Sequence, residues 1–154
     1  MTPVQIGVLY FTMATILVAW IRGGHPERLG ACAILIWTAA LIAAPAWLSY
    51  VMFGKVPLFE VAVELALLAV FVRMALRGGR WWPFAASSVV TLSVLVYLAR
   101  VFVPELDRRA EISAHVGLAA ALDFTMLAGV GERWLAGERP VSTGASWRGR
   151  TARR

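Results

Sequence analysis

The sequence is poor in charge and contains a single cysteine. Only 16% of its 154 residues are charged and 60% are apolar, whereas about a quarter of the residues in soluble domains are charged. The mean hydropathy is correspondingly high, at +0.71. These values do not fit an ordinary soluble domain and indicate a chain that folds in a lipid bilayer.

The lone cysteine, Cys32, excludes an intrachain disulfide and a cysteine-based metal cluster. The HExxH, Walker A, GxSxG and CxxC patterns are absent as well, so the sequence carries no protease, nucleotide-binding or thiol redox motif. We interpret Cys32 as a small apolar side chain within a helix and expect no cofactor, no metal site and no catalytic residue. An unrecognised membrane enzyme stays open as an alternative.

Apolar runs of roughly 18 to 22 residues, about the length of a membrane-spanning helix, separate the charged clusters. At a rise of 1.5 Å per residue, such a helix approaches the roughly 30 Å thickness of the hydrocarbon core. The sequence therefore predicts an all-α integral membrane bundle of five transmembrane helices, at about residues 4–21, 29–50, 58–76, 84–103 and 112–131. Pro45 is expected either to kink the second helix or to mark its end.

The fifth run is unusual because it contains Asp123, and an aspartate at the centre of a membrane helix costs roughly 3 kcal/mol on insertion scales. The positive-inside rule nevertheless favours the fifth run as a transmembrane span. With five spans and the amino terminus outside, 11 of the 15 bases are cytoplasmic, whereas four spans would leave only five there.

We also interpret the first run as a retained helix, since no basic residue precedes it and no small-x-small cleavage pattern precedes Arg22. The prediction is an external amino terminus and a cytoplasmic carboxyl terminus.

Two cytoplasmic turns begin with the same Arg-Gly-Gly tripeptide, in "RGGHPER" at 22–28 and "RGGRWWP" at 77–83. We expect the glycines to adopt positive φ angles after the preceding helix, and the prolines to lie in the first turn of the next one. The arginines are positioned to contact lipid phosphate; they are Arg22, Arg77 and Arg80. Duplication of a helical hairpin and independent use of good turn residues both stay open as origins of the repeat.

Ionisable residues within the spans are the first candidates for function, because lipid makes them costly. Glu60, Glu64, Arg100 and His115 fall at similar depths in the predicted outer half of the bundle. Arg100 is the expected partner of the two carboxylates. A structural ion pair with Arg100 extending outward is the alternative to a functional site.

Asp123 falls near the predicted midplane. Hydroxyl side chains at a similar depth are expected to form a polar belt around it; they are Thr15, Thr38, Thr91 and Ser93, with Thr125 close by. In one interpretation Asp123 is neutral, hydrogen-bonded and structural. In the other it ends a proton or cation relay that runs from His115 and Glu64.

The predicted topology excludes haem ligation by two histidines of one chain, because His25 lies in a cytoplasmic turn and His115 near the outer face. Pairing of His115 with its symmetry mate in a dimer stays open.

Residues 132–154 differ in composition from the rest of the chain and contain six arginines and two glutamates. We predict a transmembrane domain over 1–131 and a basic, flexible cytoplasmic tail over 132–154 that is attracted to anionic lipid. Nucleic-acid binding is not expected, because the basic residues also follow the orientation rule of a membrane protein.

The segments "RGGHPERLGACAILIWTAAL" and "VELALLAVFVRMALRGGRWWPFAASSVV" resemble a group of small polytopic inner-membrane proteins of proteobacteria that has no assigned activity. In that group a basic turn followed by Trp-Trp-Pro, and an acidic residue in the preceding helix, recur. The resemblance covers roughly residues 17–100, and the residues that match are Glu64, Arg80, Trp81, Trp82 and Pro83. It implies a multi-pass protein of the bacterial inner membrane.

Two functional hypotheses follow from the sequence. The first is a non-catalytic structural or regulatory component of a membrane complex, because the loops are short and no catalytic motif is present. The second is a small oligomeric transporter or channel that uses the buried ionisable residues as a proton or ion relay. The expected partners are the bilayer, another membrane protein or further copies of the chain.

Overall fold

The structure is a computed structural model and describes residues 3–44, 52–53, 56–77, 80–103 and 107–137. Within these ranges the protein is helical apart from one short ribbon, and the five predicted helices are confirmed. They are α1 (Pro3–Arg22), α2 (His25–Ala43), α3 (Leu58–Arg77), α4 (Trp82–Phe102) and α5 (Arg108–Leu135). Strands β1 (Met52–Phe53) and β2 (Val56–Pro57) pair antiparallel just before α3.

Helix α2 begins four residues before its predicted start because it is capped within the turn. The Glu27 carboxylate accepts a hydrogen bond from the backbone N–H of Gly24 at 2.7 Å, and Pro26 occupies the first turn, where its missing N–H costs nothing. The helix ends at Ala43. Ala44 has φ −56° and ψ 122°, the extended backbone that a residue before proline favours, so Pro45 marks the end of α2. The predicted extension over 45–50 lies outside the described residues.

Helix α5 also exceeds its predicted limits at both ends. The Asp107 side chain accepts a hydrogen bond from the backbone N–H of Arg109 at 3.1 Å and so caps the helix one turn before the apolar run begins. At the other end the helix continues through Gly131 to Leu135. The first four residues of the predicted tail are therefore helical, and residues 138–154 lie outside the described ones, so the flexible tail stays a prediction.

The five helices form a closed ring. Helix α1 packs on α2 and α5, α2 on α3, α3 on α4, and α4 on α5, with a smaller α2–α5 contact across the centre. Each helix therefore has one face toward the interior of the bundle and one away from it. In α4 the inward face carries Ala86, Val90, Ser93 and Tyr97, which recur every three or four residues as expected for one helical stripe.

Trp82 organises the packing at the end of the bundle where α4 begins. Its side chain is fully buried, and its ring meets that of Phe71 edge to face, with centroids 6.1 Å apart and planes at 79°. The indole lies against two glycines: a Cβ at Gly30 of α2 would come within 2.7 Å of it, and one at Gly129 of α5 within 2.6 Å. Gly30 and Gly129 therefore occur within helices because any larger side chain at either position would overlap the Trp82 indole.

The outward faces of the helices are apolar. Leu76, Phe102 and Ile36 are 78%, 80% and 69% exposed. By length and composition α1, α2, α4 and α5 are able to cross a membrane. Helix α3 has the same length as α1 but is more charged, and it does not belong to that group of four described helices.

Gly129→Ala is expected to lower the free energy of unfolding by about 1–3 kcal/mol, because the added methyl group overlaps the Trp82 indole. Gly131→Ala is the matched control, two residues away on the same helix and with open space around its Cβ. It should instead gain up to about 1 kcal/mol from helix propensity. Denaturant unfolding of the purified protein in detergent micelles measures both changes, and equal effects would contradict the described packing.

Candidate functional site

Three groups of polar side chains lie between the helices at different levels. The turn cluster consists of Glu27, Arg80 and Arg133, at the end where the two Arg-Gly-Gly turns lie. The mid-bundle pair consists of Thr12 and Asp123. The α3–α5 cluster lies toward the other end and contains Glu60, Glu64, Ser93, Tyr97 and His115.

The turn cluster is centred on Glu27, whose side chain is fully buried. Its Oε2 accepts hydrogen bonds from Gly24 N–H at 2.7 Å and from Arg133 Nη1 at 3.3 Å, and Arg80 Nη1 lies 3.4 Å from Oε1. Arg80 precedes α4, and Arg133 lies in the last turn of α5. One carboxylate therefore joins the first turn, the second turn and the carboxyl end of the bundle. Glu27 was not among the candidate residues selected from the sequence, because it lies in the RGGHPER turn outside the predicted spans.

The glycines of the first turn are required by close approach and not by a positive φ. Gly24 has φ −90° and ψ −165°, and Gly137 is the only glycine with positive φ among the described residues. The expectation of positive φ is therefore wrong for this turn. A Cβ at Gly23 would overlap the carbonyl oxygen of Ala19, and one at Gly24 would overlap the Arg133 guanidinium. Gly78 and Gly79 of the second turn lie outside the described residues.

The arginines predicted to contact lipid phosphate differ in their surroundings. Arg22 and Arg77 are exposed at the carboxyl ends of α1 and α3. Arg80 points at Glu27, with 23% of its side chain exposed. Their contact with lipid phosphate stays a prediction.

Asp123 is 1% exposed and has a hydroxyl partner that the sequence reasoning did not select. Thr12 Oγ1 donates a hydrogen bond to Asp123 Oδ2 at 2.6 Å, which joins α1 to α5. Thr15, chosen by counting depth along the helix, lies on the same buried stripe of α1 as Thr12, one turn further along. The spacing of Thr12, Thr15 and Ala19 on one face is the signal that could have identified Thr12.

The other predicted hydroxyls do not gather around Asp123. Thr91 and Thr125 donate to backbone carbonyls one turn earlier in their own helices, and Ser93 contacts His115 instead. The hydroxyls of Thr15 and Thr38 are buried and have no hydrogen-bond partner among the described residues. The polar belt is thus reduced to a single interhelical hydrogen bond to Asp123.

The α3–α5 cluster brings together three of the four residues placed in one layer by the sequence. His115 Nδ1 lies 3.3 Å from Ser93 Oγ and 3.9 Å from Glu64 Oε1. Tyr97 donates its hydroxyl to Glu60 Oε2 at 3.1 Å, and its ring lies against that of His115 with centroids 4.4 Å apart. The cluster therefore connects α3 to α5: Glu64 lies next to His115 directly, and Glu60 is linked to His115 through the Tyr97 side chain of α4.

Arg100 does not pair with these carboxylates. Its Nη1 donates to Oε2 of Glu111, in the first turn of α5. The predicted pairing of Arg100 with Glu60 and Glu64 is therefore wrong. Glu111 was overlooked because the apolar run that predicted the fifth span begins one residue later, at Ile112.

Two atoms of the α3–α5 cluster are unusual for buried polar groups. Glu64 Oε2 and His115 Nε2 are both shielded from solvent and have no hydrogen-bond partner among the described residues. Leaving such groups unsatisfied costs free energy, so in proteins they are usually paired or serve a function. A carboxyl group and an imidazole in this arrangement are able to take up or pass on a proton.

Neither a metal site nor a known relative identifies the role of the three clusters. Within the described part of the chain, no group of three or more His, Cys, Asp or Glu side chains is arranged to hold a metal ion. No family model matches this chain, and no curated protein and no solved structure matches it. The clusters are therefore interpreted from their own chemistry.

Glu27→Gln is expected to lower the free energy of unfolding by about 3–5 kcal/mol, because a neutral amide replaces the buried carboxylate that is paired with Arg133 and Arg80. Glu132→Gln removes an exposed carboxylate next to Arg133 in the sequence and should change stability by no more than about 0.5 kcal/mol. Both variants are compared by denaturant unfolding in micelles. A loss at Glu27 no larger than that at Glu132 would show that the turn cluster does not hold the bundle together.

Proposed function

We propose that this chain is a small multi-pass protein of the bacterial inner membrane, without catalytic activity of its own, that supports or regulates a larger membrane complex. The observation that carries the membrane location is the distribution of polarity. Glu27, Asp123 and Glu64 are 0%, 1% and 4% exposed, whereas large apolar side chains cover the outward faces of all five helices. In water this arrangement would be unfavourable, and in a bilayer it is the expected one.

The turn cluster supports a topology in which all five helices cross the membrane, including α3. Because Glu27 contacts Arg80, α2 and α4 begin at the same end of the bundle. The chain that leaves along α2 must return before α4 begins, and α3 is the segment that connects them. The acidic residues of α3 are accommodated by Tyr97 and His115 inside the bundle.

The orientation that we propose places the turn cluster in the cytoplasm. Eleven of the 15 bases fall on that side of a five-span topology, and cytoplasmic segments of bacterial membrane proteins are rich in arginine and lysine. The amino terminus and the start of α5 then face the opposite side.

A supporting role fits the way this chain uses its polar groups. Glu27, Glu111 and Asp123 are each bound by side chains of another helix or turn, so they stabilise the bundle. Three of the four connections between the described helices are short, with two residues between α1 and α2, four between α3 and α4, and five between α4 and α5. The large outer surface is apolar and available to neighbouring membrane proteins.

Purification in a mild detergent, followed by mass spectrometry of what elutes with the chain, tests the proposal. We expect a second membrane protein at fixed stoichiometry. The Gly129→Ala variant, in which the packing at Trp82 is disturbed, should lose that partner, while Gly131→Ala should retain it. Elution of the wild-type chain alone, or only with copies of itself, would count against a role in a complex.

A second candidate function, proton or ion movement, is favoured by one observation. Glu64 and His115 lie next to each other, with 3.9 Å between Glu64 Oε1 and His115 Nδ1. The other polar atom of each side chain, Glu64 Oε2 and His115 Nε2, is buried without a hydrogen-bond partner among the described residues. The cluster extends toward the bundle end through Tyr97 and Glu60, and Asp123 lies further along α5 from His115. Protonation of His115 or Glu64 would change the charge of this layer.

Liposomes that contain the purified protein and an internal pH-sensitive dye test this candidate. Under an imposed membrane potential we expect proton entry with the wild-type chain and at least about a tenfold decrease with Glu64→Gln, because an amide does not exchange protons as a carboxyl group does. Asp107→Asn is the control, since Asp107 is exposed and caps α5. Wild-type liposomes no more permeable than protein-free ones would rule out proton movement.

A further inference from the structure

An apolar groove of about 540 Å³ runs along the outside of the bundle between α4 and α5. Its walls include Leu92, Leu95 and Ala99 of α4, and Ser113, Gly117 and Leu118 of α5. On the α5 side the side chains of Ser113 and Gly117 are small and leave space above the helix backbone. A Cβ at Gly117 would meet no other atom within 4 Å.

The groove lies within one leaflet of a bilayer. Along α4 its lining runs from Leu92 to Ala99, about 10 Å, and half of a hydrocarbon core is about 15 Å thick. Along α5 it begins at Ser113, one turn after Arg109, and ends at Leu118, about 14 Å from Arg109. The groove therefore lies between the level of the lipid headgroups and about the middle of the membrane. A neighbouring transmembrane helix would need a contact surface through both leaflets, whereas an acyl chain needs only one.

Arg109 lies one helical turn before Ser113, just beyond the end of the groove that is nearest the headgroups. Arg109, Ser113 and Gly117 are spaced by four residues and so share one face of α5. The Arg109 side chain is exposed, and a guanidinium binds phosphate through paired hydrogen bonds. Two acids lie nearby, but Asp107 accepts the Arg109 backbone N–H as a helix cap, and Glu111 is bound by Arg100.

We propose that the α4–α5 groove binds one anionic phospholipid, with an acyl chain along Gly117 and the phosphate at Arg109. The complementary charge of Arg109 and the confinement of the groove to one leaflet argue for a lipid over a second copy of the chain. This inference rests on the membrane location proposed above and does not depend on a partner protein or on proton movement. Gly117 is the residue that opens the groove, and Arg109 is the residue that selects the charge of the headgroup.

The test uses the full chain, purified in a neutral detergent and stripped of lipid. Phosphatidylglycerol or phosphatidylcholine is added in increasing amounts, and native mass spectrometry counts the bound lipids. We expect one molecule of phosphatidylglycerol to bind more tightly than phosphatidylcholine. Gly117→Leu, which fills the groove, should weaken binding of both lipids at least about tenfold, as expected when bulky atoms occupy the site of a chain.

Two further variants separate the roles of the chain and the headgroup. Arg109→Gln should reduce the preference for phosphatidylglycerol about fivefold, the effect expected from one basic residue near a lipid surface. Gly7→Leu is the control for Gly117→Leu, because a Cβ at Gly7 of α1 also meets no atom within 4 Å. It should leave lipid binding unchanged, and circular dichroism checks that all variants are folded.

Unchanged lipid binding in a folded Gly117→Leu variant would overturn the proposal. A wild-type dimer that Gly117→Leu separates would also overturn it and would assign the groove to a second copy. Failure of the lipid test while the chain stays in the membrane fraction affects this inference alone. Absence of the chain from the membrane fraction would contradict the proposed location instead.

Discussion

The contact of the buried Glu27 carboxylate with Arg133 and Arg80 is the interaction on which the rest of the structure depends. An ionised carboxylate away from water is stable only when paired and hydrogen-bonded, and Glu27 obtains its partners from three separate parts of the chain. These contacts place both turns and the end of α5 at one end of the bundle. The antiparallel course of the helices, and the need for α3 to cross between α2 and α4, follow from that placement.

Small residues allow these contacts to form. Gly24 leaves space for the Arg133 guanidinium, while Gly30 and Gly129 leave space for the Trp82 indole. The charged contact and the aromatic packing therefore stabilise the same end of the bundle. Toward the other end, the polar side chains of the α3–α5 cluster lie between the helices, and Glu64 Oε2 and His115 Nε2 are buried there without a hydrogen-bond partner among the described residues. The packing around Trp82 is compatible with a supporting role at the first end, and the α3–α5 cluster with a proton-exchanging layer at the second.

The number of helices was predictable from the sequence because apolar runs of membrane length are separated by charge. Helix ends were less predictable, since α2 and α5 begin in polar segments capped by Glu27 and Asp107. Pairing within the bundle was hardest to predict. Thr12 and Asp123 are 111 residues apart and Glu27 and Arg133 are 106 apart, so their contact depends on the rotation and register of packed helices. Counting depth along each helix separately gives neither the rotation nor the register of the packed helices. For this reason the sequence points to Thr15 in place of Thr12 as the neighbour of Asp123, and to Glu60 and Glu64 in place of Glu111 as the partners of Arg100.

Labelling of single cysteines in intact cells and in inverted membrane vesicles tests the five-span arrangement most directly. In a Cys32→Ser background, the exposed positions Leu58 and Val103 mark one end of the bundle, and Arg77 and Glu132 mark the other. With a membrane-impermeant maleimide, we expect Leu58→Cys and Val103→Cys to react only from outside the cell. Arg77→Cys and Glu132→Cys should react only in inverted vesicles. Labelling of Leu58→Cys and Arg77→Cys from the same side would contradict the account, because α3 would then not cross the membrane.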